Sequence, residues 1–181
     1  QVMDAIRRFA LDLIDSTTDW HSLRQNSVRR YHSERIDYIC LSRTEQLTVK
    51  IYDIRGGPGF LVGPHNHRYN FQTFVLQGAM ANITFDERHN DDPIAAMRAG
   101  KYRYSPISRQ FVSQQSELVK LYQMWGPMLG DAQSYTLHHK EIHTIYVPVD
   151  SILLLFQHAD QPGVEETDFY SLDAVPPKLD G

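Results

Sequence analysis

With Cys40 as its only cysteine, the chain cannot form an internal disulfide, which excludes the disulfide-stapled scaffolds of small secreted proteins. Long apolar runs are missing too. The longest is ILLLF at residues 152–156, against the roughly 20 residues that a membrane-spanning helix needs. There is no excess of positive charge: 18 Lys and Arg against 22 Asp and Glu leave a net charge of −4. That balance offers neither a basic field for nucleic acid nor a polybasic patch for a membrane surface. No signal-peptide pattern, internal repeat or low-complexity tract is visible. The expectation is a cytoplasmic protein with no nucleic-acid partner and no membrane partner. Hydrophobic residues at 41% and charged residues at 22% are ordinary for a globular domain, and 181 residues suffice for one well-buried core. The unusual part of the composition is its histidine. Of nine histidines, five (His65, His67, His138, His139 and His143) fall in two short clusters.

The N-terminal segment VMDAIRRFALDLIDS places Val2, Ile6, Phe9 and Leu13 on one face, the spacing of an amphipathic helix. Asp15, Ser16 and Thr17 end it, and DWHSLRQNSVRRY predicts a second, shorter helix. From about residue 36 the pattern changes to period two. QLTVKIYDI alternates Leu47, Val49 and Ile51 against Thr48, Lys50 and Tyr52, as a half-buried strand does. FQTFVLQGAMANITF predicts two strands joined near Gly78. GKYRYSPI, ELVKLYQMW, QSYTLHHKEIHTIYV and SILLLFQH are further strands, separated by turn signals such as RGGPG and WGPMLGD. Short strands with turns between them predict an antiparallel sandwich or barrel. The polar region 86–115 is expected to contain a long excursion, with one helical turn in DDPIAAMRAG. The division expected is a helical segment over residues 1–35 packing on a barrel of residues 36–160, then an extended surface tail over residues 161–181.

In an extended strand, His65 and His67 project to the same face, while Gln72 does so only if a bulge or turn intervenes. A stable site calls for a third ligand, and GDAQSYTLHHKEIHTIYVP offers His138, His139 and His143. His143 lies within a strand-like apolar run and is the best placed to point inward. Three neutral imidazoles on a rigid sheet suit a borderline divalent ion and leave coordination positions open. A lone histidine near a strand is usually structural, but a pair at i and i+2 joined by a distant third is a stronger pattern.

These residues carry a resemblance. The stretch from Gly59 through His65 and His67 to Gly78 resembles the first cupin motif, Gly-x5-His-x-His-x(3,4)-Glu-x6-Gly, with Gln72 standing where the glutamate usually is. Gly130 and His143 resemble a degenerate second motif. The likeness covers roughly residues 45–157. It implies a mainly β fold, an antiparallel jelly-roll β-barrel with N-terminal helices outside the motif region, and a metal held by His65, His67 and His143. Within the cupins, HNHRYNFQTFVLQG is similar to the thiol (cysteine) dioxygenase group, including Gln77 and Gly78, and Tyr135 stands eight residues before His143 as in that group. The Ser-x-His-x-Tyr element of that group is replaced here by the apolar SILLLFQH, and Arg43, Arg55 and Arg68 compete for the role of substrate-carboxylate arginine.

What the resemblance implies is a mononuclear non-haem iron oxygenase of dioxygenase type. Its metal would be Fe(II), with Zn, Ni or Mn as alternatives, and its partners a small polar or acidic molecule and O2. Arg68, Tyr69, Gln72 and Tyr135 are the expected substrate-side residues, and a homodimer is compatible. The alternatives are a metal-dependent isomerase or lyase without redox chemistry and a non-catalytic metabolite-binding cupin.

Overall fold

The 3.6-residue spacing at the N-terminus forms α1 (Val2–Asp15). Its inner face, Ile6, Ala10 and Leu13, packs on Val49, Leu76 and Leu154. The hydroxyls of Ser16 and Thr17 donate back to the Leu13 carbonyl where the helix ends. The second helix, α2 (Trp20–Asn26), starts at Asp19, whose carboxylate accepts the Ser22 N–H at 3.0 Å, satisfying one of the donors a helix start leaves open. The computed structural model describes residues 2–17, 19–31, 33–57, 59–88, 97–108, 110–112 and 117–172.

The rest is strand: β1 (Ile36–Arg43), β2 (Leu47–Ile54), β3 (Tyr69–Gln77), β4 (Met80–Arg88), β5 (Met97–Ser105), β6 (Gln110–Phe111), β7 (Glu117–Leu129), β8 (Ser134–Leu137), β9 (Ile142–Tyr146), β10 (Ser151–Asp160) and β11 (Thr167–Ser171). All pair antiparallel, in one sheet ordered β1-β2-β10-β3-β8 and another ordered β11-β5-β7-β4-β9, with β6 beside β5. Among the described residues 55% are strand and 13% helix, so the fold is mainly β, in the two-sheet jelly-roll arrangement. Between β3 and β4 the chain crosses from one sheet to the other at Gly78. Its φ of 85° and its close approach to the Asp150 carbonyl leave no room for a side chain.

The second sheet closes on itself through residues 60–66. Phe60 and His65 bridge to Tyr146 and His143 of β9, and His65 also bridges to Phe169 of β11. The Tyr170 N–H donates to the Pro64 carbonyl, and the Asn66 N–H to the Asp168 carbonyl. Ala81, Ile83, Phe85, Leu121 and Tyr170 form a buried cluster within this roll. They alternate with Asn82 and Thr84, the latter pairing with His143, so His143 points from the opposite face toward the first sheet. A separate core joins the two sheets, with Ile36, Ile54, Val75 and Leu153 against Met80, Leu129 and Ile145.

Several expectations need correcting. The strand expected over QLTVKIYDI is present as β2, but its apolar set (Leu47, Val49, Ile51) faces α1, so its polar partners Thr48 and Lys50 turn inward and are buried at 6% and 5% exposure. QSYTLHHKEIHTIYV is not one strand: a turn at 138–141 separates β8 from β9, which lie in different sheets. The WGPMLGD turn signal is overridden, because β7 runs through Gly126 and Pro127 beside a register shift between Ala81 and Ile83. Such a bulge is where a strand tolerates a proline. Within region 86–115, β5 occupies 97–105 and belongs to the second sheet. The helical turn expected in DDPIAAMRAG falls on 91–96, outside the described residues, and on 97–100, which are strand. The stretch from 161 is not wholly a surface tail, since β11 pairs with β5 and buries Tyr170; residues 173–181 lie outside the described residues.

Leu154 is fully buried between α1 and the first sheet. Leu154→Ala is expected to lower the unfolding free energy by about 2–5 kcal/mol. The exposed Leu11→Ala should change it by less than about 0.5 kcal/mol. Urea denaturation of both variants measures this.

Candidate metal centre

His65, His67 and His143 come together although the first two do not lie on a regular strand. His65 exchanges two backbone hydrogen bonds with His143, at 3.0 and 2.9 Å, and the His67 N–H donates to the His139 carbonyl at 3.1 Å. The pair His65/His67 is thus positioned by two different partners rather than by strand parity alone. One ligating nitrogen from each of the three rings lies within 4.8 Å of the others. His143 is 4% exposed, and the other two are half-buried.

Fixed neighbours set the tautomers. The His65 Nδ1 stands 2.8 Å from the Gly63 carbonyl, which can only accept, so Nδ1 carries the proton and the Nε2 lone pair is left for a ligand. The His143 Nδ1 is likewise held at 2.8 Å by the Asn82 side-chain oxygen from β4. Metal-binding histidines are oriented in this way. Nε2 of His67 and Nε2 of His143 stand 2.9 Å apart. Two imidazole nitrogens bound at right angles to one ion, each at roughly 2.1 Å, would be about 3.0 Å apart. Burial, followed by the charge of His65, holds the His143 imidazole well below its ordinary pKa. Burial also lowers that of His65, against the opposing effect of the Gly63 hydrogen bond. Both rings are therefore kept in the neutral form that donates a lone pair. Among the described residues this is the one cluster of at least three His, Cys, Asp or Glu with such geometry, and it contains no carboxylate. The donor set fits a borderline divalent ion.

The rings open on a cavity of about 480 Å3 between the two sheets, within the range of small-molecule sites. Its wall is aromatic: Phe71 from β3 meets the His67 ring edge-on at 4.9 Å, and Phe169 from β11 stacks on His65 at 5.4 Å. Tyr31, Tyr52, Tyr69 and Tyr135 also line it. Burial raises the phenol pKa of all four, that of Tyr69 to about 12, so each hydroxyl is a donor at neutral pH.

Of the substrate-side residues expected from the sequence, Arg68, Tyr69 and Tyr135 line the cavity. Arg68 is already ion-paired to Asp160 at 2.8 Å. Gln72 is a correction. Between the inward Phe71 and Thr73, it takes the other face of β3, opposite Phe156 and away from the histidines, and it is not part of the cavity wall. No bulge at that position changes its parity. Arg55 turns outward to the Glu34 carbonyl and the Asp37 carboxylate. The His138–Glu141 pair is an exposed turn, with the Glu141 carboxylate accepting the His138 N–H at 2.6 Å. His139 is buried but bound to Asn70, whose side-chain oxygen accepts its backbone N–H at 2.8 Å, so it holds His67 through its carbonyl.

The roles of Asn82 and Asn70 as supports of the histidine cluster were not anticipated. A signal existed for Asn82: an asparagine inside the apolar run AMANITF is unfavourable in a strand unless its side chain has a task. For Asn70 and the Gly63 carbonyl the sequence carries no such mark.

No protein-family model matches the chain, and no curated protein matches it. Solved structures do resemble it. An RmlC-like cupin from Shewanella frigidimarina is 10% identical, with a TM-score of 0.41, over 76% of this chain and 88% of that one. A cupin-superfamily protein from Desulfitobacterium hafniense is 13% identical, with a TM-score of 0.41, over 70% and 79%. HEPD from Streptomyces albus, in a structure with 2-hydroxyethylphosphonate and Fe(II) bound, is 11% identical, with a TM-score of 0.46, over 77% of this chain and 26% of that one. At such identities the chemistry of the site has to be read from this chain's own residues.

The tyrosine wall has a testable pH consequence. Tyr69 ionises near 10 when exposed but near 12 when folded. Between those values the folded state binds more protons than the unfolded one, so stability falls as pH rises through the window. Tyr69→Phe is expected to flatten the fall of unfolding free energy between pH 10 and 12, followed by urea titration. An unchanged slope would place this phenol in water.

Proposed function

We propose that His65, His67 and His143 hold a single divalent ion, Fe(II) by preference, and that the chain is a mononuclear non-haem iron oxygenase acting on a small polar or acidic molecule with O2. The observation that carries this reading is the convergence of three imidazoles on an aromatic cavity, two of them with Nδ1 committed to a carbonyl-type oxygen and Nε2 left toward the centre.

When bound, the ion would supply a full, uncompensated positive charge, because no carboxylate enters the cluster, and would activate a substrate and O2 held side by side. The protein's own residues do the rest. The Asn82 amide and the Gly63 carbonyl keep the ligand rings in one tautomer and one orientation. Phe71 and Phe169 exclude water from the two half-buried rings. Tyr69 and Tyr135 keep their protons and offer hydroxyl donors to an oxygen atom of the substrate. Arg68, with part of its charge taken by Asp160, stands at the cavity wall as a fork of donors for an acidic group. An anionic substrate would offset the charge that the three neutral rings leave on the ion.

The protein purified without chelator is expected to carry about one equivalent of metal, chiefly iron, by elemental analysis. His143→Ala should lose it while the circular dichroism spectrum is retained, and Asn82→Ala should weaken Co(II) binding by roughly 10–100-fold. Unchanged metal content in His143→Ala would overturn the ligand assignment. Zinc or nickel without oxygen uptake would turn the reading to non-redox metal chemistry.

A further inference from the structure

A buried lysine stands outside the metal centre. Lys50 lies on the inward face of β2 and is 5% exposed. Its ammonium sits 4.8 Å from the centre of the Tyr38 ring, and no carboxylate pairs with it among the described residues. A buried charge without an ionic partner is costly and is normally compensated. Lys50 opens on a pocket of about 550 Å3 whose wall also carries Arg43, Arg68 and Gln157. The two acids there are Glu45, which is exposed, and Asp160, which is committed to Arg68 at 2.8 Å. Positive charge is therefore in excess. A second observation points the same way: the side-chain oxygen of Gln157 is buried and makes no hydrogen bond. Rotation of that amide by half a turn would present N–H donors in its place.

We propose that this pocket binds an oxyanion, a carboxylate or phosphate group, between Lys50, Arg43 and the Gln157 amide. It is separate from the metal cavity but shares Tyr31, Arg68 and Tyr69 with it. The anion has two possible sources: the acidic end of a molecule whose other end lies in the metal cavity, or a free ion in solution. The lowered pKa of Lys50, about 8 through burial and then the charge of Arg43, agrees with a cation that awaits a counter-charge.

The test uses the whole chain freed of metal, so that it is independent of the histidine assignment. Inorganic phosphate, and separately acetate and succinate, are titrated while the Cε resonance of Lys50 is followed by NMR of 13C-labelled lysine. The expected result is that at least one of these ions binds saturably and moves the Lys50 titration upward from about 8. Lys50→Met should abolish binding, and the exposed Arg43→Gln should weaken it about tenfold, with metal content unchanged in both. Phosphate binding identifies a free or phosphoryl source; binding of succinate or acetate without phosphate identifies a carboxylate. If no ion shifts the Lys50 resonance, or if Lys50→Met binds as wild type, the proposal fails.

Discussion

Both the fold and the candidate site rest on the antiparallel backbone pairing of His65, on one side with His143 and on the other with Phe169. Without it the second sheet would have two free edges, and exposed edges cost backbone hydrogen bonds and invite misassociation. With it, the segment between β2 and β3 acts as a staple that completes the roll. The same pairing sets the His65 and His143 side chains next to each other, with ring centres 5.0 Å apart. Closing the sheet and assembling the site are one geometric event.

That arrangement explains how three rings can be concentrated in a largely apolar setting. A neutral imidazole still has one donor and one acceptor to satisfy. Gly63 and Asn82 take the donors of His65 and His143, and the acceptors face one another across the centre. Each proton position is settled by a group fixed on a different element, so the rings have little rotational freedom to lose. The short contact between His67 and His143 is tolerable because only one of the two facing nitrogens needs a proton. An ion held by both nitrogens would take the place of that hydrogen bond, with His67 then carrying its proton on Nδ1.

The sequence carried the strand pattern and the histidine pair clearly, because both depend on spacing over a few residues. His143 was legible through its place in an apolar run. Gln72 was misread because a motif position was allowed to outweigh parity, and β3 has no irregularity at that point to reconcile them. β2 was ambiguous for a different reason. Its strongest apolar face serves α1, and the weaker face, with Lys50 and Tyr52, lines the interior. Alternation tells that two faces differ, not which of them turns inward. β11 was hidden because a short edge strand of five residues in a polar stretch owes its place to its partner β5. The supporting contacts of Asn70 and the Gly63 carbonyl arise from chain segments far apart in sequence, where local pattern is silent.

The interior polarity of the first sheet now has a physical logic. Its inner face offers hydroxyls that burial keeps protonated and a lysine that burial makes reluctant to stay charged. Both shifts reflect the same scarcity of water, and they act in the same sense on a ligand. A protonated phenol accepts the approach of an anionic oxygen, whereas a phenolate would repel it. An ammonium deprived of water gains more from an arriving anion than a hydrated one does, since less solvation has to be surrendered. The three neutral imidazoles would extend the bias, since they can donate lone pairs to a bound cation without neutralising it. Neutral rings, protonated phenols and a lysine with no carboxylate partner among the described residues leave this interior poor in free negative charge, which is what the proposed acidic ligand would bring.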